Sequence, residues 1–165
     1  MALIVEDGSG LPDANSYNSV PEIRSYAAAR GYTLPEEDTD VELLAVQATD
    51  YVDSFRTSFQ GKKTNPSIQA LQWPRTGVTI DDEPVDPDSI PRELKNAHAQ
   101  ASIEAYTTNL MPNDSAFVKK EKVDVIEVEY AEPVNGSSSS FTKIDSLLEP
   151  LLKTGGAFSL VSLRV

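Results

Sequence analysis

Asp40-Val41-Glu42-Leu43-Leu44-Ala45-Val46-Gln47-Ala48-Thr49-Asp50-Tyr51-Val52-Asp53-Ser54-Phe55 is the stretch that decides the fold class. Val41, Leu44, Ala48, Tyr51, Val52, Phe55 and Phe59 recur at helical spacing and form one apolar stripe. Such a stripe needs a core to face. The pattern predicts a helix capped by Asp40 and ending near Gly61. Upstream, Ser19 with Glu22 three residues later makes a capping box, so a helix is expected from there to about Arg30, with Gly31 closing it. Downstream, a third helix is expected from Ser89 to about Leu110, with Pro91 in its first turn. That helix is apolar on two sides: Ile90, Leu94, Ala97, Ala101 and Ala105 on one, Ala99, Ile103, Tyr106 and Leu110 nearly opposite. A helix apolar on two faces must be covered twice, by the second helix and then by either the first helix or a neighbouring subunit.

The expected fold is therefore mainly α: a small helical bundle of about three core helices, with a short β segment and an extended C-terminal arm. Residues 1–133 form the body. The β segment is expected in Phe117–Tyr130, where β-branched and aromatic residues interleave with charges. Ala2 to Glu6 is expected as a short strand. Asn135-Gly136 and the four serines after it read as a linker, 134–140. Residues 141–165 carry Phe141, Ile144, Leu147, Leu148, Leu151, Leu152, Phe158 and Leu160, an apolar set that must fold back on its own domain or dock on another chain. The long connection from 60 to 88 packs through Leu71 and Trp73 or projects toward a partner.

Composition narrows the function. The 165 residues hold no cysteine and one histidine, His98, so thiolate chemistry is excluded and a zinc site is improbable. No catalytic constellation stands out, and neither a cofactor nor a metal is expected. Gly8-Ser9-Gly10 resembles a fragment of a phosphate loop but lacks the lysine that gives one meaning. Met1 to Asp7 has no basic region, and no window is apolar enough to span a bilayer, so a soluble protein without membrane partners is expected. The formal net charge is −12. Acids cluster at Glu36–Glu42 and Asp81–Asp88, and such a surface repels DNA unless a local basic patch overrides it. Trp73 with Lys62, Lys63 and Arg75 is the best nucleic-acid feature, but Trp73 reads more readily as a core plug with Leu71 and Arg75 as loop anchors.

Several segments in order carry a resemblance. They are Leu3–Tyr17, Ala48–Asp53, Gln69–Val78 around Trp73-Pro74-Arg75, Ile90-Pro91 with Ala97–Ala101, Lys119–Val123, Val128–Tyr130 and Leu147–Leu152. Together they resemble a family of tailed-bacteriophage proteins encoded among head genes and labelled DnaT-like single-stranded-DNA-binding. They are also similar to head–tail connector (adaptor) proteins, which form a ring beneath the portal. The connector resemblance implies a virion neck protein made in the host cytoplasm. It implies a homo-oligomeric ring of about twelve subunits, joined to the portal and to a downstream neck or tail-terminator protein. Ala99, Ile103, Tyr106 and Leu110 would then lie between subunits, and the 141–165 apolar residues would meet the portal. No sequence-specific nucleic acid is expected on this reading, because a negative channel lets DNA slide without phosphate contacts. Two alternatives stand beside it: a replication accessory protein that binds single-stranded DNA, and a different neck or tail-completion protein.

Overall fold

The computed structural model describes residues 2–112 and 141–153. Its elements are α1 (Val20–Ala28), α2 (Asp38–Ser54), β1 (Lys62–Lys63), β2 (Arg75–Thr76), β3 (Thr79–Ile80), β4 (Glu83–Pro84), α3 (Arg92–Ala105) and α4 (Thr142–Leu148). The fold is mainly α, with two small antiparallel pairs, β1 with β2 and β3 with β4. The expected strands in 117–130 and the linker at 134–140 lie outside the described residues.

Local chemistry explains the helix boundaries. Ser19 Oγ accepts from the Glu22 N–H, and the Glu22 carboxylate accepts from the Ser19 N–H, so the capping box closes α1 at its start. α2 begins two residues before the expected cap, with Glu37 at the N-cap, so that Asp38 and Asp40 both sit in the first turn. There they complement the positive end of the helix dipole. After Ser54 the chain tightens into a 3-10 turn, Phe55–Thr57, which ends the helix before Phe59. α3 is shorter than expected at both ends because Pro91 takes the N-cap and the chain leaves the helix after Ala105. Among the described residues the expected first strand is reduced to one bridge, Val5 to Ser16, flanked by backbone bonds from Glu6 N–H to the Ser16 carbonyl and from Ser16 N–H to the Ile4 carbonyl.

α3 is the central rod. Leu94, Ala97 and Ala101 join Ala48, Tyr51 and Val52 of α2 in the main core. α1 and α4 pack against α3 as well. From Ala97 to Ile103 every residue of α3 is buried. Ala99, Ile103 and Leu110 are therefore covered within the chain, and of the four residues assigned to a subunit interface only Tyr106 is exposed. Both apolar faces of α3 are satisfied by intramolecular neighbours.

Residues 141–153 lie on the body. Ile144, Leu148 and Leu151 are fully buried, and Phe141 packs edge-on against Tyr51. α4 ends at Leu148, and Pro150 falls in the 3-10 turn Glu149–Leu151, where its missing N–H breaks no α-helical bond. Leu152 then bridges Phe59. Burial takes Ile144, Leu148 and Leu151 off any surface that a portal could touch, while Leu147 and Leu152 are partly buried against the same core. Phe158 and Leu160 lie outside the described residues.

The 60–88 connection packs as an ordered loop. Trp73 is fully buried and meets Phe59 edge-on, and Leu71 joins the same cluster. The Trp73–Pro74 peptide is cis. Gly8 closes a contact that only glycine permits: its φ is +105°, and a Cβ there would stand 2.1 Å from the Asp88 carbonyl oxygen.

Candidate nucleic-acid interface

The residues that sequence reading offered to nucleic acid are engaged elsewhere. Trp73 has no free face for a base, because it is buried beneath Phe59. Arg75 is buried and donates from Nε to the Gln60 carbonyl at 2.7 Å and from Nη2 to the Gly61 carbonyl at 2.9 Å. A guanidinium spent on backbone carbonyls anchors a loop and holds no phosphate. Lys63 Nζ likewise donates to the Gln69 carbonyl at 3.3 Å.

The Gly8-Ser9-Gly10 loop is also filled from within. Its backbone N–H groups converge as they would around an anion, but the anion is the chain's own Glu6. Glu6 Oε1 accepts from Gly8 N at 2.9 Å and Gly10 N at 2.8 Å, and Oε2 accepts from Leu11 N at 2.8 Å. Glu6 is fully buried, and the loop has no room for a phosphate.

His98 is a core residue. Its ring lies between α2 and α3, edge-on to Tyr17, with Nε2 at 3.0 Å from both the Ala45 carbonyl oxygen and Thr49 Oγ1. Burial lowers its pKa to about 4, so the imidazole is neutral at pH 7. Beside it, the Tyr17 hydroxyl donates to Asp53 and accepts from the Trp73 N–H. Burial raises the Asp53 pKa to about 6, against the lowering effect of its bonds from Tyr17 and Gln72 N–H. Among the described residues no group of three or more His, Asp or Glu side chains is placed to hold a metal ion, and no helix is long and apolar enough to cross a membrane.

A different surface combines cations with a half-buried ring, Tyr26. It is an open groove of about 390 Å³ between α1 and α3, lined in part by Tyr26, Ile90, Arg92, Lys95, Asn96 and Ala99. The helices bring these together because Glu22 and Tyr26 share one face of α1, while Arg92, Lys95, Asn96 and Ala99 share one face of α3. Lys95 Nζ pairs with Glu22 at 3.0 Å across the groove, and Asn18 Nδ2 donates to the Lys95 carbonyl at 2.7 Å. The exposed Arg30 guanidinium stacks 3.5 Å from the Tyr26 ring centre. Past the C-terminal end of α1, outside the groove lining, Tyr32 lies beside the buried Gln100 and the half-buried Glu104 of α3 and meets Lys143 at the start of α4. Lys143 Nζ donates to the Tyr32 hydroxyl at 2.9 Å, and that bond holds the Tyr32 pKa below the usual phenol range. Arg92 and Lys95 thus line the groove, Lys95 paired with Glu22, while Arg30 and Lys143 sit on the Tyr26 and Tyr32 rings, on a chain whose net charge is −12.

Sequence reading missed this strip because its parts lie far apart in the chain. The usable signals were local: Tyr26 and Arg30 one turn apart, and Arg92, Lys95 and Asn96 on one helical face.

No curated protein and no solved structure matches the chain. A family model matches all of residues 1–165, and its description reads "Putative DnaT-like ssDNA binding protein". That description corrects one expectation. The net charge and the connector resemblance argued for portal and neck proteins as partners and against nucleic acid; the family is described by its binding to single-stranded DNA. A net charge of −12 leaves room for a local basic patch, because local fields follow the placement of charge. The chain belongs to this DnaT-like family.

Proposed function

We propose that the protein binds single-stranded DNA without catalysis, as a replication accessory factor, through the groove between α1 and α3. The observation that carries this reading is the strip formed by Arg30, Arg92, Lys95 and Lys143 interleaved with Tyr26 and Tyr32. Binding of a single strand calls for cations that track phosphates and rings on which bases stack, and both are present on one surface. The family description supports the same ligand class.

The acidic remainder of the molecule shapes the binding. Acidic stretches such as Asp81–Asp88 disfavour phosphates relative to the groove, so the groove is the favoured path for a strand. Four cations on a single strand correspond to a slope of about −3 in log affinity against log salt. A fluorescence-anisotropy titration with a labelled oligonucleotide over a salt series tests this. Binding at low salt with that steep a loss, and weaker binding to the same sequence as a duplex, is the expected result. No binding at the lowest salt overturns the proposal.

A second reading, a structural component of a phage neck, draws on the net charge of −12 and on the exposed acidic segment Asp81–Asp88. A chain that binds no oligonucleotide but sediments with DNA-filled heads would favour it.

A further inference from the structure

The groove holds more than charge. Asn96 lines it, on α3 beside Lys95 and one turn before Ala99, and is half-buried. Its carboxamide makes no hydrogen bond among the described residues. Buried and half-buried carboxamides ordinarily find partners, as the neighbouring Asn18 does in donating to the Lys95 carbonyl. Asn96 thus presents an unused acceptor and two unused donors to the groove. The Tyr26 side of the groove is aromatic, and Arg30 stacked on that ring holds it in place. Ala99 and Ile90 supply small apolar floor contacts. The volume of about 390 Å³ falls in the range of small-molecule sites, roughly 300–1,000 Å³.

We propose that this groove receives one unpaired nucleobase of the bound strand, with Asn96 reading its edge. The inference rests on the single-stranded-DNA reading and deepens it. The base lies along the Tyr26 side, and Arg92 and Lys95 at the rim meet the flanking phosphates. A carboxamide pairs with an edge that offers one donor beside one acceptor. Adenine presents this arrangement and is the usual partner of asparagine in bidentate readout. Asn96 is then a specificity residue, and the cations are affinity residues.

The test uses the full chain, the Asn96→Ala variant and short homopolymers of each base, followed by anisotropy at low salt. The wild type binds the adenine homopolymer best. Asn96→Ala loses that preference, by roughly ten-fold in affinity for adenine, while its salt slope is unchanged. The variant should fold, because the side chain it removes bonds to no described group; a thermal melt by circular dichroism checks this. Competition by free adenine mononucleotide gives an independent readout and should weaken in the variant. If the wild type binds all homopolymers equally, or Asn96→Ala keeps the preference, the base-reading role is overturned while strand binding stands. If no homopolymer binds at low salt, the reading beneath it fails too.

Discussion

Asp53→Asn should make stability fall more steeply as the pH drops from 6.5 to 4. Two buried groups set this. His98 has an ordinary pKa of 6.5 that burial lowers to about 4. Its neutral form is favoured in the folded state, so its contribution to stability is complete above pH 6.5 and is lost as pH falls to 4. Each pH unit costs 1.36 kcal/mol, so the loss is about 3 kcal/mol. Asp53 has an ordinary pKa of 3.8 that burial raises to about 6. Its protonated form is favoured in the folded state, so it lends stability at low pH that disappears as pH rises from 3.8 through 6. The shift of roughly two units corresponds to about 3 kcal/mol of the opposite sign. Between pH 6 and 4 the two slopes oppose each other and nearly cancel. Asparagine cannot titrate, and its one carboxamide oxygen keeps only one of the two bonds that the carboxylate accepts, from the Tyr17 hydroxyl at Oδ1 or the Gln72 N–H at Oδ2. That loss lowers stability at every pH without changing the slope. The assay is urea unfolding at a series of pH values, followed by the single tryptophan, Trp73, which is buried in the fold and exposed on unfolding. The variant should lose about 3 kcal/mol more than the wild type between pH 6.5 and 4. Exposed carboxylates contribute equally to both profiles and drop out of the comparison. Parallel profiles for the two proteins would refute the opposition of His98 and Asp53.

Other expectations concern the loops and the C-terminal segment. Glu6→Ala removes the carboxylate that three backbone N–H groups share, and should cost about 3 kcal/mol in denaturant unfolding. Gly8→Ala places a methyl against the Asp88 carbonyl at a positive φ, and should cost about 2 kcal/mol or more in the same assay. Leu148→Ala should cost about 3 kcal/mol, because the side chain is fully buried in the main core; a cost under about 0.5 kcal/mol would mean that residues 141–153 do not contribute to the body.

How far the sequence reaches can be seen residue by residue. The Ser19–Glu22 box and the Val41–Phe55 stripe are local patterns, and α1 and α2 follow from them. The two faces of α3 were equally legible, but a helical wheel says that a face is covered and not by what. Ala99 and Ile103 are covered inside the chain, which no local pattern could distinguish from a subunit contact. The leucines of 141–152 pose the same question at longer range, since Leu152 meets Phe59 across more than ninety residues of chain. The β pairs span two residues per strand, too short for any alternation to register. Trp73 and the Gly8–Gly10 loop show residue types suited to ligands that serve folding instead, with Phe59 and Glu6 in the ligand's place. The groove was illegible for the converse reason: its cations are dispersed through an acidic sequence, and only packing of α1 against α3 gathers them.

The most direct measurement compares two charge reversals in oligonucleotide binding at low salt. One variant carries Arg30→Glu and Lys143→Glu, the cations on the Tyr26 and Tyr32 rings, and leaves the Lys95–Glu22 ion pair intact. The other carries Arg56→Glu and Lys62→Glu, exposed cations on a different part of the chain with the same change in net charge. Binding that is abolished by the first pair and only modestly weakened by the second is the predicted result. Equal loss from both pairs, or none from the first, would contradict the placement of single-stranded DNA between α1 and α3.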